Sequence, residues 1–127
     1  MKYFFDNNIS PKYAKMLSAL DIDVTALRDE FDASIKDVDL FPKLHGRSLV
    51  FVSGDIRIRT RLAETKALQS CGVTALFFAP FWGKMKLWQQ ASWLVTKWPR
   101  IDGFASGVAL GTCAMIRQNG TSDVFQL

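Results

Sequence analysis

The stretch "KYFFDNN", residues 2–8, places an acid and two asparagines directly after a short run of aromatic residues. A short apolar run of this composition is typical of a buried β-strand. Burial of an uncompensated carboxylate is costly, so we expect Asp6 to lie exposed at the tip of this strand. The next stretch, "ISPKYAKML", predicts a helix, with Ser10 as its N-cap and Pro11 as its first residue.

Strand and helix signals continue to alternate along the chain. Further strands are predicted over residues 22–26, 48–55 and 73–79. Helices are predicted from Ser34 to Gly46, over residues 60–71, and over residues 84–98, where Pro99 stops the last one. Asn119-Gly120 predicts a β-hairpin within residues 111–127, whereas residues 101–110 favour no single element.

This alternation predicts a three-layer α/β fold in a single domain over residues 1–127. The central sheet is expected to be mostly parallel, with four to five strands, helices on both faces and a C-terminal β-hairpin. The apolar strands lack an alternating polar face, which is typical of strands buried on both sides.

Composition limits the possible function classes. The chain has 127 residues, of which 49% are hydrophobic, and this length fits one domain with a core of its own. Its net charge of +4 is compatible with a polyanionic partner. Cys71 and Cys113 have no metal-ligand spacing and indicate reduced core thiols. The reduced thiols predict a cytoplasmic protein. No apolar stretch is long enough to span a bilayer, so we expect no membrane partner.

Three acids are predicted to meet at one edge of the sheet. Asp6 ends the first strand and Asp55 ends the third, and the carboxyl ends of parallel strands share an edge. Asp37 lies in the first turn of the helix that follows the second strand, which begins at the same edge. Carboxylates that converge in this way repel each other, and a bound Mg²⁺ or Mn²⁺ would remove the conflict.

Each of these acids also has an ordinary structural explanation. Asp6 could begin an Asx-turn, Asp37 could complete a capping box, and Asp55 could be a plain turn residue. Glu64 also faces inward near the start of its helix, where a role beside the helix dipole or in solvent is the simpler interpretation.

Arg57, Arg59 and Arg61 alternate just beyond Asp55. In an extended segment they would point to one side, where they could contact the phosphates of an RNA backbone. A solvated loop explains the same pattern equally well.

The stretches "ISPKYAKML", "VTALRDEF", "KDVDLFPKL" and "LVFVSGDIRIR", which follow Asp6 in this order, resemble the PIN-like nuclease domains. Among these domains, the stretches resemble the VapC-like toxins of bacterial and archaeal toxin–antitoxin pairs. The resemblance implies a Mg²⁺- or Mn²⁺-dependent endoribonuclease that is silenced by a cognate antitoxin, with Asp6, Asp37 and Asp55 as its metal-binding catalytic acids. Many relatives carry another acid where this chain has Arg57. Candidates for the missing ligand are Glu64, Asp39 and Asn7.

Two other functions remain open on the sequence. A receiver-like phosphoacceptor also has acids at the ends of strands one and three, and it would be phosphorylated on Asp55. The single acid after strand one and the lack of a suitable lysine after a fifth parallel strand count against it. The third hypothesis is a degenerate PIN-like module that binds RNA or a protein without cleaving RNA. A homodimer is compatible with all three.

Overall fold

A computed structural model describes residues 1–55, 57 and 62–125. Within these residues, the strands are β1 (Lys2–Phe5), β2 (Val24–Ala26), β3 (Leu49–Ser53), β4 (Thr74–Phe78), β5 (Cys113–Ile116) and β6 (Ser122–Phe125). The α-helices are α1 (Pro11–Ala19), α2 (Asp37–Leu44), α3 (Leu62–Cys71), α4 (Phe81–Lys84) and α5 (Leu87–Gly107). None of the helices in this part of the chain is long and apolar enough to cross a membrane.

The strands form one sheet in the order β2-β1-β3-β4-β5-β6. Strands β1 to β5 run parallel, and β6 pairs antiparallel with β5. The predicted mostly parallel sheet and the C-terminal hairpin are therefore confirmed. The sheet has more strands than expected because the hairpin extends it instead of packing beside it. Gly120 has a φ of +87° in the hairpin loop, a conformation that glycine adopts readily.

Alternate residues of the strands bury against helices on opposite faces of the sheet. Phe5 faces α1 and α5, where its ring lies edge-on to Trp98 at 5.8 Å. Phe4 faces the other side, in the cluster that contains α2 and α3. On that side Phe41 of α2 packs edge-on against Phe51 of β3 at 5.2 Å. Both faces are thus covered, which confirms the predicted three layers and explains the continuously apolar strands.

The predicted end of the last helix is wrong, because Pro99 lies inside α5 instead of ending it. Proline removes the hydrogen bond to the carbonyl of Val95, four residues earlier. Val95 is 45% exposed, so water can solvate that carbonyl. Beyond the proline, Ile101 and Ala105 are buried in the core, and their packing favours continuation of the helix.

The start of α2 corrects another boundary. The predicted start of the helix, Ser34, instead forms a turn in which its amide and hydroxyl donate to Asp32 Oδ1, at 2.8 and 2.7 Å. The helix begins at Asp37, with Lys36 as an N-cap whose side chain makes no capping hydrogen bond. The capping-box interpretation of Asp37 is therefore wrong.

Candidate functional site

The candidate site lies beyond the carboxyl ends of β1 and β3. The chain places β2 on one side of β1 and β3 on the other, so the order of the strands reverses at this point. Ligands of open parallel sheets bind in the crevice formed by such a reversal. Asp6 follows β1 directly, and its amide donates to Val52 of β3 at 2.9 Å. Asp55 follows β3 after one intervening residue, at the same edge.

Asp6 is buried, with 9% of its surface exposed, so the expectation of an exposed acid is wrong. Its carboxylate is compensated by hydrogen bonds. Oδ1 accepts from the Asn7 amide at 2.8 Å, and Oδ2 accepts from the Ser53 hydroxyl at 2.9 Å. Burial raises the pKa of Asp6, the two hydrogen bonds oppose this effect, and the nearby charge of Asp55 adds to it. The two acids are therefore electrostatically coupled.

The hydroxyl of Ser53 connects the two acids. It donates to Asp6 and accepts from the Asp55 amide at 3.0 Å and from Asn8 Nδ2 at 3.0 Å. These contacts use the single donor and both acceptor positions of a hydroxyl. Asn8 Oδ1 also accepts from the Gly54 amide at 2.8 Å, which ties the β1 loop to the end of β3.

Sequence reasoning missed Ser53 and Asn8. A detectable signal was present for Ser53, since it is the one polar residue of the otherwise apolar strand "LVFVS". Buried polar groups require hydrogen-bond partners, so a hydroxyl at the end of such a strand indicates a polar network. Asn8 had no comparable signal, because only the packed loop shows that its amide spans the two strand ends.

Gly54 and Trp82 form one wall of the network. A Cβ atom on Gly54 would lie 2.8 Å from Cδ1 of Trp82, closer than real contacts allow. Trp82 is buried, so its indole has little freedom to withdraw. The close approach of backbone and indole thus requires glycine at this position.

Asp55 is paired with Arg57 in this structure. Asp55 Oδ1 accepts from the Arg57 amide at 3.0 Å and from its Nε at 2.8 Å, and Nη2 lies 3.3 Å from Oδ2. The hydrogen bond and the charge of Asp55 raise the pKa of Arg57. The other two arginines of the predicted phosphate-binding group, Arg59 and Arg61, lie outside the described residues.

The other predicted ligands lie on helices. Asp37 is the first residue of α2 and is half-buried, Asp39 is exposed on the same helix, and Glu64 is half-buried in the first turn of α3. Within the described ranges, no three acidic, histidine or cysteine side chains are grouped so that they could hold a metal ion. The structure brings Asp6 and Asp55 together; the ligand roles of all five acids remain predictions.

The donors at this crevice nevertheless suit a hard divalent cation. Mg²⁺ is commonly held by one or two carboxylates, several waters and the phosphates of a substrate, so two coupled acids are sufficient. Asn7 adds an oxygen next to Asp6: its Nδ2 donates to the Ala33 carbonyl at 2.5 Å, while its buried Oδ1 has no hydrogen-bond donor among the described residues. An unpaired carbonyl oxygen of this kind is a potential metal ligand.

Comparison with known proteins identifies the family. A family model described as "PIN like domain" matches residues 1–80, which include Asp6 and Asp55. No curated protein and no solved structure gives a significant match to the chain. The matched residues include β1 to β4, the strands that carry the crevice. The chain therefore belongs to the PIN-like domain family.

Proposed function

We propose that this chain is a metal-dependent endoribonuclease whose active site is the crevice between the ends of β1 and β3. The geometry that brings Asp6 and Asp55 to one crevice carries the proposal: the Ser53 hydroxyl bonds to the Asp6 carboxylate at 2.9 Å and to the Asp55 amide at 3.0 Å. A buried carboxylate whose pKa is raised partly by a second carboxylate is a site of unfavourable charge. A divalent cation between the two would stabilise both ionised forms.

In this proposal Asp6 and Asp55 hold Mg²⁺ or Mn²⁺, with Asp37 as the third acid and Asn7, Asp39 and Glu64 as lower-ranked ligands. The bound ion supplies an activated water and stabilises negative charge during hydrolysis of a phosphodiester bond. Burial raises the pKa of Asp6, and the hydrogen bonds from Asn7 and Ser53 oppose this effect by favouring the ionised carboxylate. The Ser53 network holds the two strand ends in register and limits the reorganisation needed on metal binding.

RNA is the proposed substrate. The family is one of nuclease-like domains, and the chain carries a net charge of +4, which favours a polyanion. We assign the phosphate contacts to Arg57, which lies beside the crevice, and to Arg59 and Arg61, which follow it in the sequence. The receiver-like alternative has less support, because the family match is to PIN-like domains and Arg117, not a lysine, follows β5.

The test is cleavage of a labelled single-stranded RNA with Mg²⁺, with Mn²⁺ and with EDTA. Wild type is expected to cleave only with metal, whereas Asp6→Asn and Asp55→Asn should each lower kcat/KM by about 100-fold or more. Asp21→Asn is the matched control: it makes the same change of charge, and Asp21 is exposed at the amino edge of the sheet, away from the crevice. Equal cleavage by wild type and a folded Asp6→Asn variant would refute the proposal.

We further propose that the chain acts as the toxin of a toxin–antitoxin pair, in the cytoplasm, where a cognate antitoxin silences it. The sequence resemblance to VapC-like toxins supports this role. Induction of wild type should arrest growth, Asp6→Asn should not, and co-expression of the neighbouring antitoxin gene should restore growth. Metal binding without cleavage of any RNA would instead favour the degenerate, binding-only module.

A further inference from the structure

Arg57 occupies the acid that is expected to receive the metal. Its guanidinium contacts both oxygens of Asp55, through Nε to Oδ1 at 2.8 Å and through Nη2 to Oδ2 at 3.3 Å. The backbone amide of Arg57 adds a third hydrogen bond to Oδ1 at 3.0 Å. A cation that approaches Asp55 in this state meets a positive charge already held by the same carboxylate, and the two cations repel each other.

The ion pair between Arg57 and Asp55 is nevertheless exposed to competition from another anion. The side chain of Arg57 is 73% exposed, while that of Asp55 is 16% exposed. Ion pairs with such an exposed member contribute little stability, because solvent screens them. A guanidinium binds phosphate in the same two-pronged geometry as it binds a carboxylate. A phosphate at the mouth of the crevice can therefore compete with Asp55 for the guanidinium of Arg57.

We propose that Arg57 couples the binding of RNA to the binding of the divalent cation; this inference rests on the proposed function. Without RNA, Arg57 neutralises Asp55 and lowers the affinity of the crevice for metal. When RNA binds, a backbone phosphate takes the guanidinium, and the positive charge that Arg57 holds against the Asp55 carboxylate is removed. The same phosphate supplies an oxygen to the ion, as is common for Mg²⁺ held by few carboxylates. Because linkage is reciprocal, the metal also raises the affinity for RNA.

The coupling is measured from the affinity for Mn²⁺, followed by the electron paramagnetic resonance signal of free Mn²⁺. The polyanion is a phosphorothioate oligoribonucleotide, chosen because it resists hydrolysis. For wild type, adding the oligonucleotide should tighten Mn²⁺ binding by about fivefold or more. Mn²⁺ held by the oligonucleotide itself is measured with the oligonucleotide alone and subtracted.

Two variants that each remove one positive charge distinguish coupling between RNA and metal binding from a general effect of net charge on Mn²⁺ affinity. Arg57→Gln should bind Mn²⁺ about fivefold more tightly than wild type without oligonucleotide, and the oligonucleotide should tighten its Mn²⁺ binding less than it tightens that of wild type. Arg117→Gln is the matched control: Arg117 is also exposed and also pairs with a nearby acid, Asp123, but it lies beside the hairpin. Arg117→Gln should behave as wild type does.

The inference is overturned if Arg57→Gln and wild type bind Mn²⁺ equally without oligonucleotide, or if the oligonucleotide leaves wild-type affinity unchanged. In either case a loss of Mn²⁺ affinity in Asp55→Asn leaves the proposed function standing. Failure of the proposed function is a different result: Asp6→Asn and Asp55→Asn would both bind Mn²⁺ as wild type does, and no RNA would be cleaved.

Discussion

Replacement of Ser53 by alanine tests whether the network at the crevice stabilises the fold. Ser53 is fully buried, and its hydroxyl makes three hydrogen bonds, one of them to the carboxylate of Asp6. A hydrogen bond to a charged group contributes about 1.5–3 kcal/mol and a neutral one about 1 kcal/mol. Asn8 keeps its bond to the Gly54 amide, and such losses are not additive. We therefore expect Ser53→Ala to lower the free energy of unfolding by about 3 kcal/mol.

For a chain of this size the loss corresponds to a fall in Tm of about 10 °C. Thermal and urea unfolding, followed by circular dichroism in EDTA, measure it directly. Ser92→Ala is the control, because Ser92 is exposed on α5 and its loss should change stability by less than about 0.5 kcal/mol.

The penalty should also depend on pH. Ser53 donates to the ionised form of Asp6 and lowers its pKa. The destabilisation by Ser53→Ala is therefore largest where Asp6 is ionised and shrinks as pH falls through its pKa in the folded state. If Ser53→Ala lowers Tm no more than Ser92→Ala does, the hydrogen bonds of Ser53 do not stabilise the fold as proposed. The same penalty at acidic and neutral pH would refute its link to Asp6.

Three further predictions concern the same fold. Gly54→Ala should lower the free energy of unfolding by about 1–3 kcal/mol, because its Cβ would clash with Trp82. The control, Gly103→Ala, lies in open space on α5 and should raise the free energy of unfolding by up to about 1 kcal/mol. Equal urea midpoints for the two variants would contradict the clash. The pKa of Asp6 is higher in the folded than in the unfolded state, so stability falls as pH rises through the interval between the two pKa values. Asp6→Asn should flatten this fall in metal-free unfolding experiments. An unchanged slope of stability against pH would exclude Asp6 as its source. Pro99→Ala should raise Tm, because it restores a helical hydrogen bond inside α5, and a lower Tm would mean that the proline favours the native helix.

The local sequence determined much of the fold. Short apolar runs separated by helical periodicities indicated parallel strands with helices on both faces, because burial on both sides demands such strands. Asn119-Gly120 indicated the hairpin, since few residue pairs adopt that loop conformation. The placement of Asp6 and Asp55 at one edge also followed from the sequence, because parallel strands end on the same side.

Tertiary structure decided what local patterns cannot encode. Pro99 lies within α5 because core packing beyond it outweighs one missing hydrogen bond. Asp6 is buried because Ser53, distant in sequence, donates a hydrogen bond to it across neighbouring strands. In both cases the deciding energy comes from contacts formed only when the sheet assembles. Composition and periodicity therefore determined the architecture, while the packed fold determined which groups contact the buried acid of the crevice.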